Sequence, residues 1–224
     1  MPSPERRPRD RMVYSAAQLI RARGVTATGV RDVVEHASAP RGSFQHYFPG
    51  GKDQLVGEAV AWAGDFAARW VASYRRAEAA PSPDGLFAHV VRPWKDEFSA
   101  RGYERGCPVM ATAADLAGGE SAVNTQLRRA LGQWEHAVAD ELVGMGVLPA
   151  RARSLAVLMI SALEGAIMWA RVDRDTTPLD IVVTELAPLL QAAGREATLS
   201  GCHDEGAPGG TLPGEPAEDV TRHC

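Results

Sequence analysis

Apolar side chains recur at three- and four-residue spacing through nearly the whole of this chain. One stretch carries the pattern to an extreme: LAVLMISALEGAIMWA, Leu155 to Ala170, is apolar almost all round. Spacing of this kind belongs to helices, and a helix apolar on every face has to be covered on every face. The expected fold class is therefore all-α, with this segment either central in its own core or shared with a second copy. A chain of 224 residues, 45% hydrophobic and 6% aromatic, has material for one or two domains with sizeable cores.

The start and stop signals divide the pattern. Val13, Ala16, Ala17 and Ile20 form one stripe and Gly24 supplies a left-handed terminator, which predicts a first helix over about Arg9 to Arg23. Thr28 is placed to cap a second, running to about Ala37 on the stripe Val30, Val33 and Val34. Ser38-Ala39-Pro40 breaks the chain, and a short third helix is expected from Arg41 to Phe48. A fourth is expected from Lys52 to Glu78. Further helices are expected at Asp84 to Ala100 (strained at Pro93), Pro108 to Ala117, Glu120 to Met145, Pro149 to Val172 and Leu179 to Gly194. From Glu196 the chain turns rich in Gly, Pro and acid with few large apolar residues, so residues 196–224 read as a disordered tail.

Charge is distributed unevenly. The chain carries −4 overall, yet residues 1–53 carry nine basic side chains against five acidic ones, leaving an acidic body behind a basic quarter. That asymmetry is the footprint of a nucleic-acid-binding module attached to something else. The stretch ASAPRGSFQHYFPGGKDQL, Ala37 to Leu55, sharpens the reading. Phe44 and Phe48, four apart, face the core, so Gly42, Ser43, Gln45 and His46 point outward. A short helix after a tight turn, offering bidentate donors from its first half, has the form of the recognition element of a helix-turn-helix. Gln45 suits an adenine edge, Arg41 guanine or phosphate, and Gly42 a close backbone approach. Lys52, at the head of the next helix, suits phosphate.

These residues resemble the TetR-type transcriptional regulators. The landmarks are Arg23-Gly24, the T-G-V-R-D-V-V stretch from Thr28 to Val34, R-G-S-F at Arg41 to Phe44, and Tyr47-Phe48 followed by Lys52. P-G-G-K-D-Q-L at Pro49 to Leu55, G-C-P-V at Gly106 to Val109 and A-L-E-G-A at Ala162 to Ala166 are similar to the LmrA/YxaF subgroup. The family often has Gly in place of Ser38, Tyr in place of Gln45 and His in place of Tyr47. The resemblance implies a three-helix helix-turn-helix DNA-binding domain over residues 1–51, then a helical effector-binding and dimerisation domain over residues 52–195. It also implies a homodimer joined through its last two helices, where Ser161, Gly165 and Ala166 would allow close approach. The DNA-contact candidates are Thr28, Arg41, Gly42, Ser43, Gln45, His46, Tyr47 and Lys52.

Sensor candidates come from side-chain type alone. Trp94, Phe98, Cys107, Met110, Trp134, Met159 and Trp169 are large, soft or aromatic, and are spread over several helices. They suit the wall of an apolar pocket, and equally a packed core. Glu164 stands apart, because a carboxylate inside so apolar a run needs a partner, a shifted pKa or a cationic ligand.

Other classes are disfavoured. No GxSxG, Walker, GxGxxG or HExxH pattern occurs, and Cys107 has no spacing signature with His46, His89 or His136, so no enzyme is expected. Cys202, His203, His223 and Cys224 match no zinc-finger spacing, and neither metal nor cofactor is expected. No run approaches the ~18 apolar residues of a membrane span, and three cysteines make no disulfide framework, so a cytoplasmic protein with free thiols is expected. The expected function is a ligand-responsive regulator, repression being the commoner outcome in the resembling family, that binds a palindromic operator as a homodimer and is released by a small apolar or amphipathic effector. The alternative is a helical protein-interaction adaptor without DNA contact.

Overall fold

The computed structural model describes residues 7–40, 42–116, 118 and 121–201, the last six by backbone alone. Ten helices and no strand occur among them. The first three are α1 (Pro8–Arg23), α2 (Val30–His36) and α3 (Phe44–Tyr47). They fold over the start of α4 (Gly51–Val71), and Met12, Ala17, Ile20, Val33, Phe48 and Leu55 close that core. Helix α4 continues into the body and packs along α8 (Ala122–Gly144). A Cβ on Gly64 would stand 2.7 Å from the Ala130 methyl, so the glycine is what lets the two backbones approach there. The body is completed by α5 (Tyr74–Ala77), α6 (Pro83–Arg101), α7 (Pro108–Leu116), α9 (Pro149–Asp173) and α10 (Thr177–Gly201). Helices α8 and α9 pack together, α10 lies against both α6 and α9, and α7 bridges α1, α4 and α8.

Local chemistry accounts for where the elements depart from expectation. The third helix is a single turn, since before it the Pro40 carbonyl accepts both the Ser43 amide (3.0 Å) and the Ser43 hydroxyl (2.7 Å) and delays the helix start to Phe44. The fourth ends at Val71 rather than Glu78, where the Ser73 hydroxyl donates to the Trp70 carbonyl (2.6 Å) and a separate turn of helix follows. The last runs from Thr177 to Gly201, past the expected end at Gly194, because Arg195 to Ser200 contains no helix breaker; residues 202–224 of the expected tail lie outside the described residues. Gly29, not Thr28, caps α2.

The turn after α2 carries the one departure from family habit with a conformational cost. Ser38 sits at φ 49°, a left-handed position that glycine occupies more easily. The Ala39 amide reaches back to the Val34 carbonyl (3.0 Å), closing the helix end. From α1, Arg11 donates to the carbonyls of Ala37 (3.0 Å) and Ser38 (3.2 Å), holding the turn from outside.

Candidate nucleic-acid interface, sensor core and subunit face

Around α3 the outward residues form one surface. Gly42, Gln45 and His46 are exposed, Ser43 and Tyr47 half-buried, and a Cβ on Gly42 would meet nothing within 4 Å. Gln45 makes only a long contact to the Pro49 carbonyl (3.4 Å), so its amide is available to a base edge. His46 packs edge-on against Tyr47. Phe44 stacks on the fully buried Phe48 at 5.3 Å, which anchors the turn. Arg41 lies outside the described residues.

Two candidates are placed differently from expectation. Thr28 is buried and its hydroxyl donates to the Gly24 carbonyl (2.6 Å), so it closes the turn between α1 and α2 and is not offered to DNA. Lys52 donates to the Val25 carbonyl (2.7 Å), tying the head of α4 to that same turn. Much of the basic excess is likewise used inside the protein. Arg9 pairs with Glu58 (2.6 Å) and Arg23 with Asp32 (2.5 Å), while Arg21 turns to the body. Arg31 was not among the sequence candidates, yet it is exposed on α2 and has no hydrogen bond or ion pair among the described residues. Its signal in the sequence was only that it sits opposite the apolar stripe of α2.

The body separates the eight sensor candidates. Phe98, Cys107, Trp134, Met159 and Glu164 are buried, while Trp94 and Met110 are half-buried. Trp169 does not join them: it is 65% exposed on the outer side of α9, because its helix position falls beside Val172 and not beside Met159. Two recesses on the described surface include none of the eight, one of them between α4 and α8, and the other where α1, α2 and the end of α6 meet. Phe98, Cys107, Trp134 and Met159 belong to the continuous hydrophobic core.

Within that interior two polar groups are poorly partnered among the described residues. Among the described residues neither carboxyl oxygen of Glu164 has a hydrogen bond of regular geometry, and the Trp134 indole N–H has no acceptor. Burial raises the Glu164 pKa to about 7, the neighbouring Cys107 thiol pulling it slightly back. Burial first, then the Glu164 charge, push the Cys107 thiol well above its ordinary value, which makes it a poor nucleophile. His89 is stacked on Trp70 at 4.5 Å, His136 is bonded to the Gly132 carbonyl, and His46 lies on α3, so none is engaged with Cys107. Cys202, His203, His223 and Cys224 lie outside the described residues.

The loop holding Cys107 joins the two halves of the protein. On one side Arg21 of α1 donates to the Gly106 carbonyl (2.8 Å) and pairs with Glu97 (3.0 Å), its guanidinium lying 5.3 Å over the Trp94 ring. The Gly106 amide returns a bond to the Arg21 carbonyl (2.8 Å). From the far side Arg171 of α9 donates to the carbonyls of Tyr103 (3.2 Å) and Glu104 (3.1 Å). Nothing local marks Arg21 or Arg171, since their partners lie 85 and 68 residues away.

Helix α9 is buried on one side only. Leu155, Met159, Leu163, Ala166 and Ile167 point inward, so Ala166 packs within its own subunit and not at an outer face. Val157, Leu158, Met168, Trp169 and Val172 are exposed, with Ile181 of α10 beside them. Ser161 and Gly165 lie in the same exposed band, and a Cβ on Gly165 would meet nothing within 4 Å. By length and composition α9 could cross a membrane, but its inner side is packed against α8 and α10.

Comparisons agree with this architecture. Residues 14–59 match the family of bacterial regulatory proteins of the tetR type, and residues 83–185 match the C-terminal domain of LmrA/YxaF-like transcriptional regulators. The chain is 41% identical over 191 residues to an uncharacterized HTH-type transcriptional regulator of Mycobacterium tuberculosis, Rv0196, covering 83% of this chain and 95% of that one. It is 26% identical to the HTH-type regulator LmrA of Bacillus subtilis over 171 residues, 76% of this chain and 90% of the relative. Among solved structures, a TetR transcriptional regulator from Legionella pneumophila superposes with TM-score 0.73 at 18% identity, over 84% of this chain and all of that one. The protein, with its N-terminal helix-turn-helix and all-helical body, belongs to the TetR family of transcriptional regulators, in its LmrA/YxaF-like branch.

Proposed function

We propose that this regulator is a cytoplasmic repressor that grips a palindromic operator as a homodimer and lets go when a small apolar or amphipathic effector enters its body, residues 52–195. The carrying observation is the exposed apolar band of α9, which a lone subunit leaves in water. A single recognition turn reads few base pairs, whereas two related by a two-fold axis read two half-sites at a fixed spacing. Readout then falls to Gln45, supported by Gly42, Ser43, His46, Tyr47 and Arg41, with Arg31 on phosphate.

The Glu164 carboxyl, with only the Cys107 thiol beside it among the described residues, and the Trp134 N–H support an effector that brings its own polar atoms into an otherwise apolar interior. An effector displacing side chains there presses on Cys107, and Gly106 is bonded to Arg21 of the DNA-reading half. A conformer that binds effector better and holds the recognition elements at the wrong spacing releases DNA by the same coupling factor.

Two experiments test these readings. With an operator selected from flanking DNA, Gln45→Ala should cost about 1 to 3 kcal/mol on the operator and leave random duplex binding unchanged. Arg31→Ala should instead weaken every duplex alike and lower the salt slope by about one. Unchanged operator affinity in both variants across a salt series would remove this surface as the DNA contact. For the sensor, an inducing compound should quench tryptophan fluorescence, raise the melting midpoint and loosen the operator complex with a single dissociation constant. Release of DNA without any thermal shift would contradict a site in the body.

A further inference from the structure

The recess between the two halves has the chemistry of an anion site. It encloses about 240 Å³ and is walled by Tyr14, Gln18 and Leu19 of α1, His36 at the end of α2, Arg101 at the end of α6 and Arg105 in the loop that follows. Two guanidiniums and an imidazole line it, and among the described residues no carboxylate does. Arg101 has no hydrogen bond or ion pair among the described residues. Arg105 shares a single carboxylate: its Nη1 lies 3.8 Å from Glu97, whose other oxygen is held by Arg21 at 3.0 Å. Burial, the largest cause, lowers the His36 pKa, and the positive charge of Arg105 acts in the same direction. The imidazole is fixed by its Nδ1 contact with the Ser15 hydroxyl at 2.9 Å. The Tyr14 ring, Leu19 and Ala22 supply the apolar part of the lining.

We propose that this recess binds a small amphipathic carboxylate, its anionic end between Arg101 and Arg105 and its ring or branched chain against Tyr14 and Leu19. Planar guanidinium forks match a carboxylate, and a pocket with one charged end and one apolar wall selects for both parts of such a ligand. Its walls come from both halves of the protein, α1 and α2 on one side and the α6 end on the other. Occupancy therefore holds the DNA-reading helices against the body, and the carboxylate acts as a second input, separate from an effector in the interior.

Titration of the full-length protein with 2-naphthoate, followed by calorimetry, tests this, with 2-naphthalenemethanol as the uncharged analogue and inorganic phosphate as the anion without an apolar part. Naphthoate should bind at least roughly tenfold more tightly than either control, and weaken with salt. Arg101→Gln and Arg105→Gln should each reduce its affinity at least roughly tenfold while leaving the thermal midpoint of the unliganded Arg101→Gln protein unchanged. Undetectable binding at millimolar naphthoate, equal binding of the alcohol or of phosphate, or unchanged affinity in both variants would each overturn the proposal. A loss of random-duplex affinity with a flattened salt slope in Arg101→Gln would overturn it too, by assigning these arginines to DNA phosphate.

Discussion

Replacing Gly165 by arginine is expected to convert a dimer into a folded monomer. In the single subunit Gly165 is exposed and a side chain added there meets nothing within 4 Å. Arginine is also the better helix former by somewhat under 1 kcal/mol, so α9 itself should not suffer. If the exposed band Val157, Leu158, Met168, Trp169 and Val172 is covered by the same band of a second copy, an unpaired guanidinium is forced into the middle of that contact, at a cost of several kcal/mol. Sedimentation of the wild type should give a dimer at micromolar concentration and the variant a monomer of normal helical content. Operator affinity should then fall to that of a half-site. A variant that still dimerises would move the subunit contact off α9.

The second large effect is on the pH dependence of stability. The Glu164 carboxyl has a pKa of about 7 in the fold, raised by burial from an ordinary value of 4.5. Below about pH 4.5 it is protonated folded and unfolded alike, and burial adds no ionic cost. Between there and about pH 7 the unfolded chain ionises while the folded one keeps its proton, so stability falls as pH rises; above about 7 the loss is complete and levels off. A shift of this size corresponds to about 3 kcal/mol. Glu164→Gln should remove the slope, leaving the variant about 2 to 3 kcal/mol more stable than wild type near pH 8 and close to it near pH 4.5. Urea unfolding at both pH values, at one fixed protein concentration, measures it. Parallel stability curves would mean that Glu164 meets a partner in the folded protein. The same substitution should blunt induction by any effector whose polar group meets this carboxyl.

Much of this was legible in the chain. The stripes of α1 and α2, the terminator Gly24 and the Phe44–Phe48 anchor are local patterns, and helices follow local patterns closely. The outward surface of the recognition turn was legible for the same reason: Gln45 and His46 lie on the face that Phe48 does not. The departures came from tertiary contacts and from position around a helix. Thr28 carries a donor that a sequence offers to DNA, yet it is taken by the Gly24 carbonyl of the α1–α2 turn, and Lys52 gives one of its three N–H donors to the Val25 carbonyl of the same turn. Trp169 resembles Met159 in residue type, but about 80° away around α9 its side chain is exposed where Met159 is buried.

By itself the sequence determined the helical class, the succession of a basic helix-turn-helix and an acidic body, and the excess of apolar surface on α9, because periodicity, terminators and charge act within a turn or two of helix. Only the tertiary structure decided which charges remain available. Arg21, Arg23 and Arg31 read alike along the chain; folding binds the first to Gly106 and Glu97, the second to Asp32, and leaves the third open. It likewise left Glu164, among the described residues, with only the Cys107 thiol beside its carboxyl, and brought Arg101 and Arg105 to the same recess as His36. The reason is physical: a charge acts through distance in space and through its exposure to water, and both are properties of the packed molecule.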